Sequence, residues 1–402
     1  MSNHSNKKSI LTILMVTIFV IGGTFLLTIF ARGYKLSFNL KNTPSFSSTG
    51  IISATSKPKG ASVYINDKLI TATDDTINLS PDEYTIKIVE DGYLPWEKKI
   101  QVKKEVVYQT DTNLFRSVSD LKPITLTGAV NSTLSQDGDF VVYAVASASA
   151  AKDNGLYLLQ LVDNVVPFSK GSSKLLISNQ SNIDWANYAF TFSPDSKQVL
   201  AQNKINGTAY LLTIDNINAQ SLYDVSLKLS LIEKDWQTQT QEIIKTRLSK
   251  LPKEIAEFIS TSSAQDILFT SDDKKVLYLT NKDGNLVKNI ISPPPAQSTQ
   301  TQTRDIKANS YYVYDIKDDT NFLIGSKDTI YQPKWLNNSY NLVFVEDQKI
   351  ETIEYDATNK QTLFAGNFDK NAVYPWLDGS KIVTLTVPYS EAKENLYAIY
   401  IK

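Results

Sequence analysis

Any chemistry in this chain must proceed without thiols and almost without imidazole: cysteine is absent, and the single histidine, His4, lies before the first long apolar run. Thiolate nucleophiles and cysteine-ligated metals are thereby excluded, and histidine-based triads and general bases have no imidazole in the body of the chain. Carboxylates, Lys, Tyr and Ser remain. Asp137, Asp195, Asp272 and Asp378 recur in similar turns. Two carboxylates facing one substrate across about 5–10 Å can run acid/base hydrolysis, and several converging oxygens can hold calcium. The plainer reading is that each carboxylate accepts N–H groups of its own turn. Spacing alone does not bring these aspartates together, so no catalytic, metal or cofactor-binding residue is assigned. Trp335 and Trp376 share a repeat position with Leu134 and Phe192, which assigns them to core packing. Trp185, in Asn182-Ile183-Asp184-Trp185, falls outside that position and is the candidate exposed aromatic for binding.

The elements that must position these residues are strands. Ala189 to Gln202 reads as an apolar run, a Ser-Pro-Asp turn and a second apolar run, the sequence of two neighbouring antiparallel strands. The unit recurs around Leu134–Gly138, Phe269–Lys274, Trp335–Asn338 and Trp376–Gly379. A small sheet of this kind cannot bury its own faces, so repetition implies radial or linear stacking. The predicted fold class is all-β.

At 402 residues the chain has room for two or more domains. Its 41 basic and 42 acidic residues give a net charge of −1, so there is no basic field for nucleic acid. Ile10 to Ala31 carries no charge, with Lys7-Lys8 before it and Arg32 after it. Such a run spans a hydrocarbon core of about 30 Å as a helix. It exceeds the apolar core of a cleaved signal peptide, and no A-x-A site follows it. We read residues 1–9 as a cytoplasmic tail, 10–31 as a transmembrane signal anchor and 32–50 as a linker. Arg32, Lys35 and Lys41 outnumber Lys7 and Lys8, against the usual charge bias. The long folded segment nevertheless fits a bulk outside the cytoplasm.

From 51 to 115 short alternating runs, such as Tyr84-Thr85-Ile86-Lys87-Ile88, alternate with turns and predict a small antiparallel β-sandwich. The ordered anchors Ser56-x-Pro58-x-Gly60-Ala61-x-Val63-Tyr64-Ile65-Asn66, Leu79-x-Pro81-x-x-Tyr84-x-Ile86-x-Ile88 and Gly92-Tyr93-x-x-Trp96 resemble the PEGA domain. The resemblance implies a surface-exposed sandwich with no catalytic residues. Where family members carry glycine this chain has Asp67, Asp82 and Thr71–Asp75, so Asn and Asp must make those turns.

Residues 120–402 resemble TolB-like or WD40-like propeller repeats, with Phe192-Ser193-Pro194-Asp195-Ser196-Lys197 the clearest copy. Five blades are expected, or six if Ser310–Ile324 forms a blade without the turn motif. Two insertions interrupt the repeats. Residues 224–260 carry an apolar stripe (Trp236, Ile243, Ile244, Leu248, Leu251, Ile255, Phe258, Ile259) that predicts helix broken at Pro252. Residues 292–305, rich in Pro, Gln and Thr, predict a mobile loop. Leu121–Thr127 is a spare strand that should complete the last sheet beside Leu396–Lys402, hiding an edge.

These readings point to a membrane-anchored, extracytoplasmic binding or scaffolding protein whose partner is another protein or cell-envelope glycan. The alternative is a carboxylate-dependent hydrolase, for example acting on glycan, with its site in the propeller channel.

Overall fold

Five turns of one geometry organise the C-terminal part of the chain in the computed structural model, which describes residues 3–31, 34–38, 44–162, 173–215, 222–262, 266–287, 300–336, 339–387 and 393–402. At the fourth position of each turn the backbone enters the left-handed region: Gly138, Ser196, Asp273, Ser339 and Gly379 have φ of 81°, 59°, 55°, 55° and 64°. A left-handed residue of this kind closes a tight hairpin loop; the Ser135, Ser193 and Thr270 N–H groups each meet the carbonyl five residues on. In three of the turns the first residue is a buried hydroxyl that works in both directions. Ser135, Ser193 and Thr270 donate to the aspartate two residues on, at 2.6, 2.6 and 2.7 Å. Each also accepts the N–H five residues on, at 3.0, 2.9 and 3.0 Å.

The chain divides into two compact units, one reaching Leu114 and one from Phe115 onward that also includes Gly92–Leu94. The second is a β-propeller. Among the described residues it has five antiparallel sheets of three or four strands, besides a two-stranded pair of Gly284–Asn285 with Asp305–Ile306. The first holds Val130–Leu134, Phe140–Val145, Gly155–Gln160 and Lys174–Ser178, and the second holds Tyr188–Phe192, Gln198–Asn203 and Ala209–Thr213. The third holds Leu268–Phe269, Lys275–Leu279, Ser310–Asp315 and Thr320–Ser326; the fourth holds Tyr331–Trp335, Asn341–Glu346, Lys349–Glu354 and Gln361–Ala365. Ser310–Ile324, considered above as a separate blade, therefore supplies strands of the third sheet.

The fifth sheet joins the two ends of this unit. Phe368–Pro375, Lys381–Thr386 and Asn395–Tyr400 are followed in space by Asp120–Pro123. Leu121 faces Ile399 and Lys122 faces Ala398 in antiparallel register, which is the pairing the spare strand predicted. Both faces of the second strands are buried, so they read as unbroken apolar runs. In Phe140–Val145, Val141, Tyr143 and Val145 pack against the fifth sheet, while Val142 and Ala144 pack against the second.

The helical insertion links the second and third sheets. Helices α1 (Asn3–Ala31), α2 (Leu229–Leu248) and α3 (Lys253–Ser262) are present, the last two separated at Pro252 as expected. Trp236 of α2 packs on Leu200 and Ala209 of the second sheet. Leu248, Ile255 and Ile259 pack on Val276, Tyr278 and Tyr312 of the third. Ile243, counted in the predicted stripe, is 47% exposed. Residues 292–299 of the predicted loop lie outside the described residues. Its end is fixed rather than loose: Arg304 is buried and its guanidinium reaches the Asp319 carboxylate at 2.9 Å.

In the first unit, Lys68–Ala72, Ser62–Ile65, Glu83–Val89 and Trp96–Gln101 form one sheet, and Val107–Gln109, Gly50–Ala54 and Asp75–Leu79 another. Their buried side chains include Ile52, Val63, Ile86, Ile88, Trp96 and Ile100. Asn66 and Asp67 take φ of 48° and 62°, and Asp74 takes 69°, so these residues make turns in the absence of glycine. Asp82 does not enter that region. The expectation of a wholly antiparallel sandwich is corrected, because Val107–Gln109 pairs parallel to Gly50–Ala54. The segment expected as a linker contains paired strands, Tyr34–Phe38 and Pro44–Ser48, and the expected tail is helical from Asn3. Among the described residues no helix is long and apolar enough to cross a membrane. Within α1 the side chains are described only between Thr12 and Thr28, so the ends of the span expected at Ile10–Ala31 lie outside them.

Two substitutions test the turn. Gly138 has open space where a Cβ would stand, so Gly138→Ala costs only the left-handed backbone penalty, about 1–2 kcal/mol. Ser193→Ala strands the Gln198 N–H and is expected to cost about 1–3 kcal/mol. Denaturant unfolding of the purified variants measures both.

Candidate functional site

The first strands of the sheets are tied to one another by side chains at equivalent positions. Thr133 donates its hydroxyl to the Phe190 carbonyl, and Tyr374 donates its own to the Ser132 carbonyl at 2.8 Å. Lys334 donates its ammonium to the Val373 carbonyl at 3.0 Å. Aligned on their turns, Thr133, Lys334 and Tyr374 occupy one repeat position, and so do the carbonyls they reach. Trp335 makes a related bond, its indole N–H reaching the Leu268 carbonyl at 2.9 Å.

Where these strands run into their turns they enclose a cavity of about 750 Å³. Phe269, Tyr311, Tyr331, Trp335 and Trp376 supply an aromatic lining, with Lys334, Lys327, Arg247, Asp137 and Asp266 as its charged members. A volume of this size lies in the range of small-ligand sites.

Electrostatics separates these groups. Arg247 is matched by Asp273 and lies 4.6 Å from the Phe269 ring centroid. Hydrogen bonds from Lys250 and Arg247 in turn hold the Asp273 carboxyl below its ordinary value. Asp137 accepts from Ser135 and from the Asp139 N–H. Asp266 accepts the Tyr311 hydroxyl at 2.9 Å; burial and this bond raise the phenol. Lys334 is different. Part of its side chain reaches solvent, yet removal of water from the ammonium lowers its pKa to about 8, with no carboxylate offsetting that effect. The repeat aspartates do structural work, as their plainer reading held. Burial acts to raise Asp272, but donors from Thr270 and Lys274 hold it at about 2. Asp195 is lowered by the Ser193 hydroxyl. Asp378 accepts from the Ser380 N–H and hydroxyl at 2.8 and 2.6 Å. Among the described residues there is no cluster of three or more potential metal ligands.

The expected exposed aromatic is corrected. Trp185 is fully buried between the first and second sheets, where its N–H meets the Ser178 carbonyl and its ring lies 5.0 Å from that of Tyr188. Asp184 explains this by accepting the Ala186 N–H and capping a short turn over Trp185–Asn187 that directs the indole inward. The shared position of Trp335 and Trp376 is also corrected. The bonds Leu336 N–H to Asn341 and Trp376 N–H to Lys381 align Trp376 with Ser135, Ser193, Thr270 and Leu336, one residue beyond Trp335. A shift of one residue changes the face on which a side chain emerges. Trp376 is consequently buried, stands where other turns have the hydroxyl, and has an indole N–H without an acceptor. Trp335 is only partly buried. Lys334, Tyr331 and Tyr311 were not singled out from the sequence. For Lys334 a signal existed: it is the charged residue at a position that elsewhere holds Thr133, Thr191, Leu268 and Tyr374.

Residues 49–117 match the family model described as the PEGA domain. No curated protein is significantly similar to the chain. Among solved structures, TolB from Acinetobacter baumannii is 12% identical, with 79% of this chain and 59% of that one covered and a TM-score of 0.22. A protein of unknown function from Bacteroides thetaiotaomicron is 10% identical over 89% of this chain and 94% of that one, with a TM-score of 0.25. An acylaminoacyl peptidase from Pyrococcus horikoshii is 13% identical, with a TM-score of 0.21, and the alignment covers 68% of this chain and 38% of the peptidase. The propeller assignment rests on the strand pairing above, not on these likenesses.

The lysine gives a signed prediction. Between pH of about 8 and 10.5 the unfolded chain keeps a proton that folded Lys334 has released, so this group's contribution to stability rises with pH across that window. Lys334→Met is expected to remove that rise, as read from denaturant midpoints at pH 7.5 and 10.

Proposed function

We propose that this chain is a membrane-anchored, extracytoplasmic binding protein that displays a PEGA domain and a five-bladed propeller and takes its ligand in the axial cavity. The observation that carries the reading is the aromatic cavity at the converging first strands. Its carboxylates are engaged by neighbouring hydroxyl and N–H donors, which suits recognition better than acid/base chemistry. The five-blade count is supported by five consecutive sheets and by the pairing of Asp120–Pro123 with Asn395–Tyr400.

Anchoring is supported by the uncharged run Ile10–Ala31 and by exposure of large apolar side chains along α1, including Ile13, Phe19, Phe25 and Leu27. A helix apolar on all sides suits lipid better than water. Full-length protein is expected to stay with membranes through alkaline carbonate extraction, and a variant lacking residues 1–31 to be released. Extraction of the full-length protein by carbonate refutes anchoring.

The hydrolase reading is favoured by one observation, that Asp137 and Asp266 both line the cavity. Asp137→Asn and Asp266→Asn separate the two readings. Under the binding proposal neither variant loses a glycan-hydrolysing activity, because the parent has none in a screen of envelope glycans. Hydrolysis by the parent that falls by about 10²-fold or more in either variant establishes the enzyme instead.

A further inference from the structure

Resting on the reading of the axial cavity as a ligand site, we propose that its ligand is an acidic sugar residue, whose carboxylate is held by Lys334 and whose hydroxyls are held by the cavity's aspartates. Lys334 donates to the Val373 carbonyl, and no carboxylate lies within salt-bridge distance of it among the described residues. A desolvated ammonium that meets one carbonyl and lies 5.7 Å from the centre of the Tyr374 ring is stabilised by an anion brought to it. Trp376 also lines the cavity, and its buried indole N–H has no acceptor. Buried donors of this kind are ordinarily satisfied.

The rest of the lining selects the body of the ligand. With Arg247 matched by Asp273, the lining sets Lys327 and Lys334 against Asp137 and Asp266, a near-balance that suits a ligand with one negative charge better than a dianion such as phosphate. Carboxylates accept hydrogen bonds and donate none, so they call for a ligand rich in hydroxyl donors. The partly exposed ring of Trp335, with Phe269 and Tyr331, offers apolar surface to the C–H face of a sugar. One carboxylate, several hydroxyls and an apolar face together describe a hexuronic acid better than an acidic peptide, which lacks the hydroxyls.

The test titrates full-length protein in detergent with digalacturonate, galactobiose and a diaspartyl peptide, read by calorimetry and by tryptophan fluorescence. Digalacturonate is expected to bind at least about tenfold more tightly than galactobiose, a difference of about 1.4 kcal/mol. Lys334→Met should abolish that preference and Lys334→Arg should retain it, with a cooperative thermal unfolding transition in each variant as the control that it is folded. Independently of any variant, digalacturonate should protect Lys334 from acetylation in the parent protein. Equal affinity for the two sugars overturns the acidic-sugar assignment while leaving the cavity a binding site. Tighter binding of the peptide overturns the saccharide class, and binding of none of the three overturns both this inference and the ligand site it rests on.

Discussion

The closing of the fifth sheet by Asp120–Pro123 is the constraint on which the rest of the second unit depends. A ring of small sheets has no ends only if its last sheet is completed from the beginning of the unit; otherwise Asn395–Tyr400 presents unpaired N–H and carbonyl groups along an edge. The join is reinforced beyond the strand itself. Ile124 and Thr125 donate to the Leu396 carbonyl, the Arg116 N–H reaches the Ile401 carbonyl, and the Arg116 guanidinium reaches the Lys402 carbonyl at 2.9 Å. Loss of this pairing would open apolar clusters on both faces of the fifth sheet, those around Tyr374 and Trp376 and those around Val373 and Ile382.

Given closure, the first strands are brought side by side, and their spacing is maintained by side chains that cross from one strand to the next. Thr133, Tyr374 and Lys334 make the same type of bond with three different chemistries. A hydroxyl is neutral and has its one donor used by such a bond. An ammonium carries a charge and has donors left over, which turns a structural tie into a feature that a ligand can meet. The same logic separates Trp376 from its counterparts. Ser135, Ser193 and Thr270 both donate and accept within their turns, whereas an indole can only donate, and nothing in the fifth sheet's turn receives it.

Charge inside the third and fourth sheets follows a different rule. Lys275 meets Asp315 at 3.3 Å with both side chains almost wholly buried, and lies over the Tyr340 and Tyr355 rings at 5.1 and 4.5 Å. Arg304 meets Asp319, which also accepts the Tyr314 hydroxyl. These ions are paired, and pairing is what makes their burial tolerable. Lys334 has no carboxylate of this kind among the described residues; its ammonium meets the Val373 carbonyl and lies 5.7 Å from the centre of the Tyr374 ring.

Local order was legible in the sequence because it depends on neighbours along the chain. The Ser-Pro-Asp-x turns, the apolar strands that follow them, the break of the insertion at Pro252 and the spare strand at Leu121 all follow from residue types at short range. The PEGA-like anchors were legible for the same reason. Only the tertiary structure decided which side chains meet. Trp185 lies inside because a capped turn directs its ring toward a neighbouring sheet. Trp376 occupies a different face from Trp335 because one residue of register moves a side chain to the opposite face of the strand. Lys334 became prominent only when the surrounding sheets removed water from it without supplying a carboxylate. Periodicity records which positions face away from water; it does not record what waits on the other side.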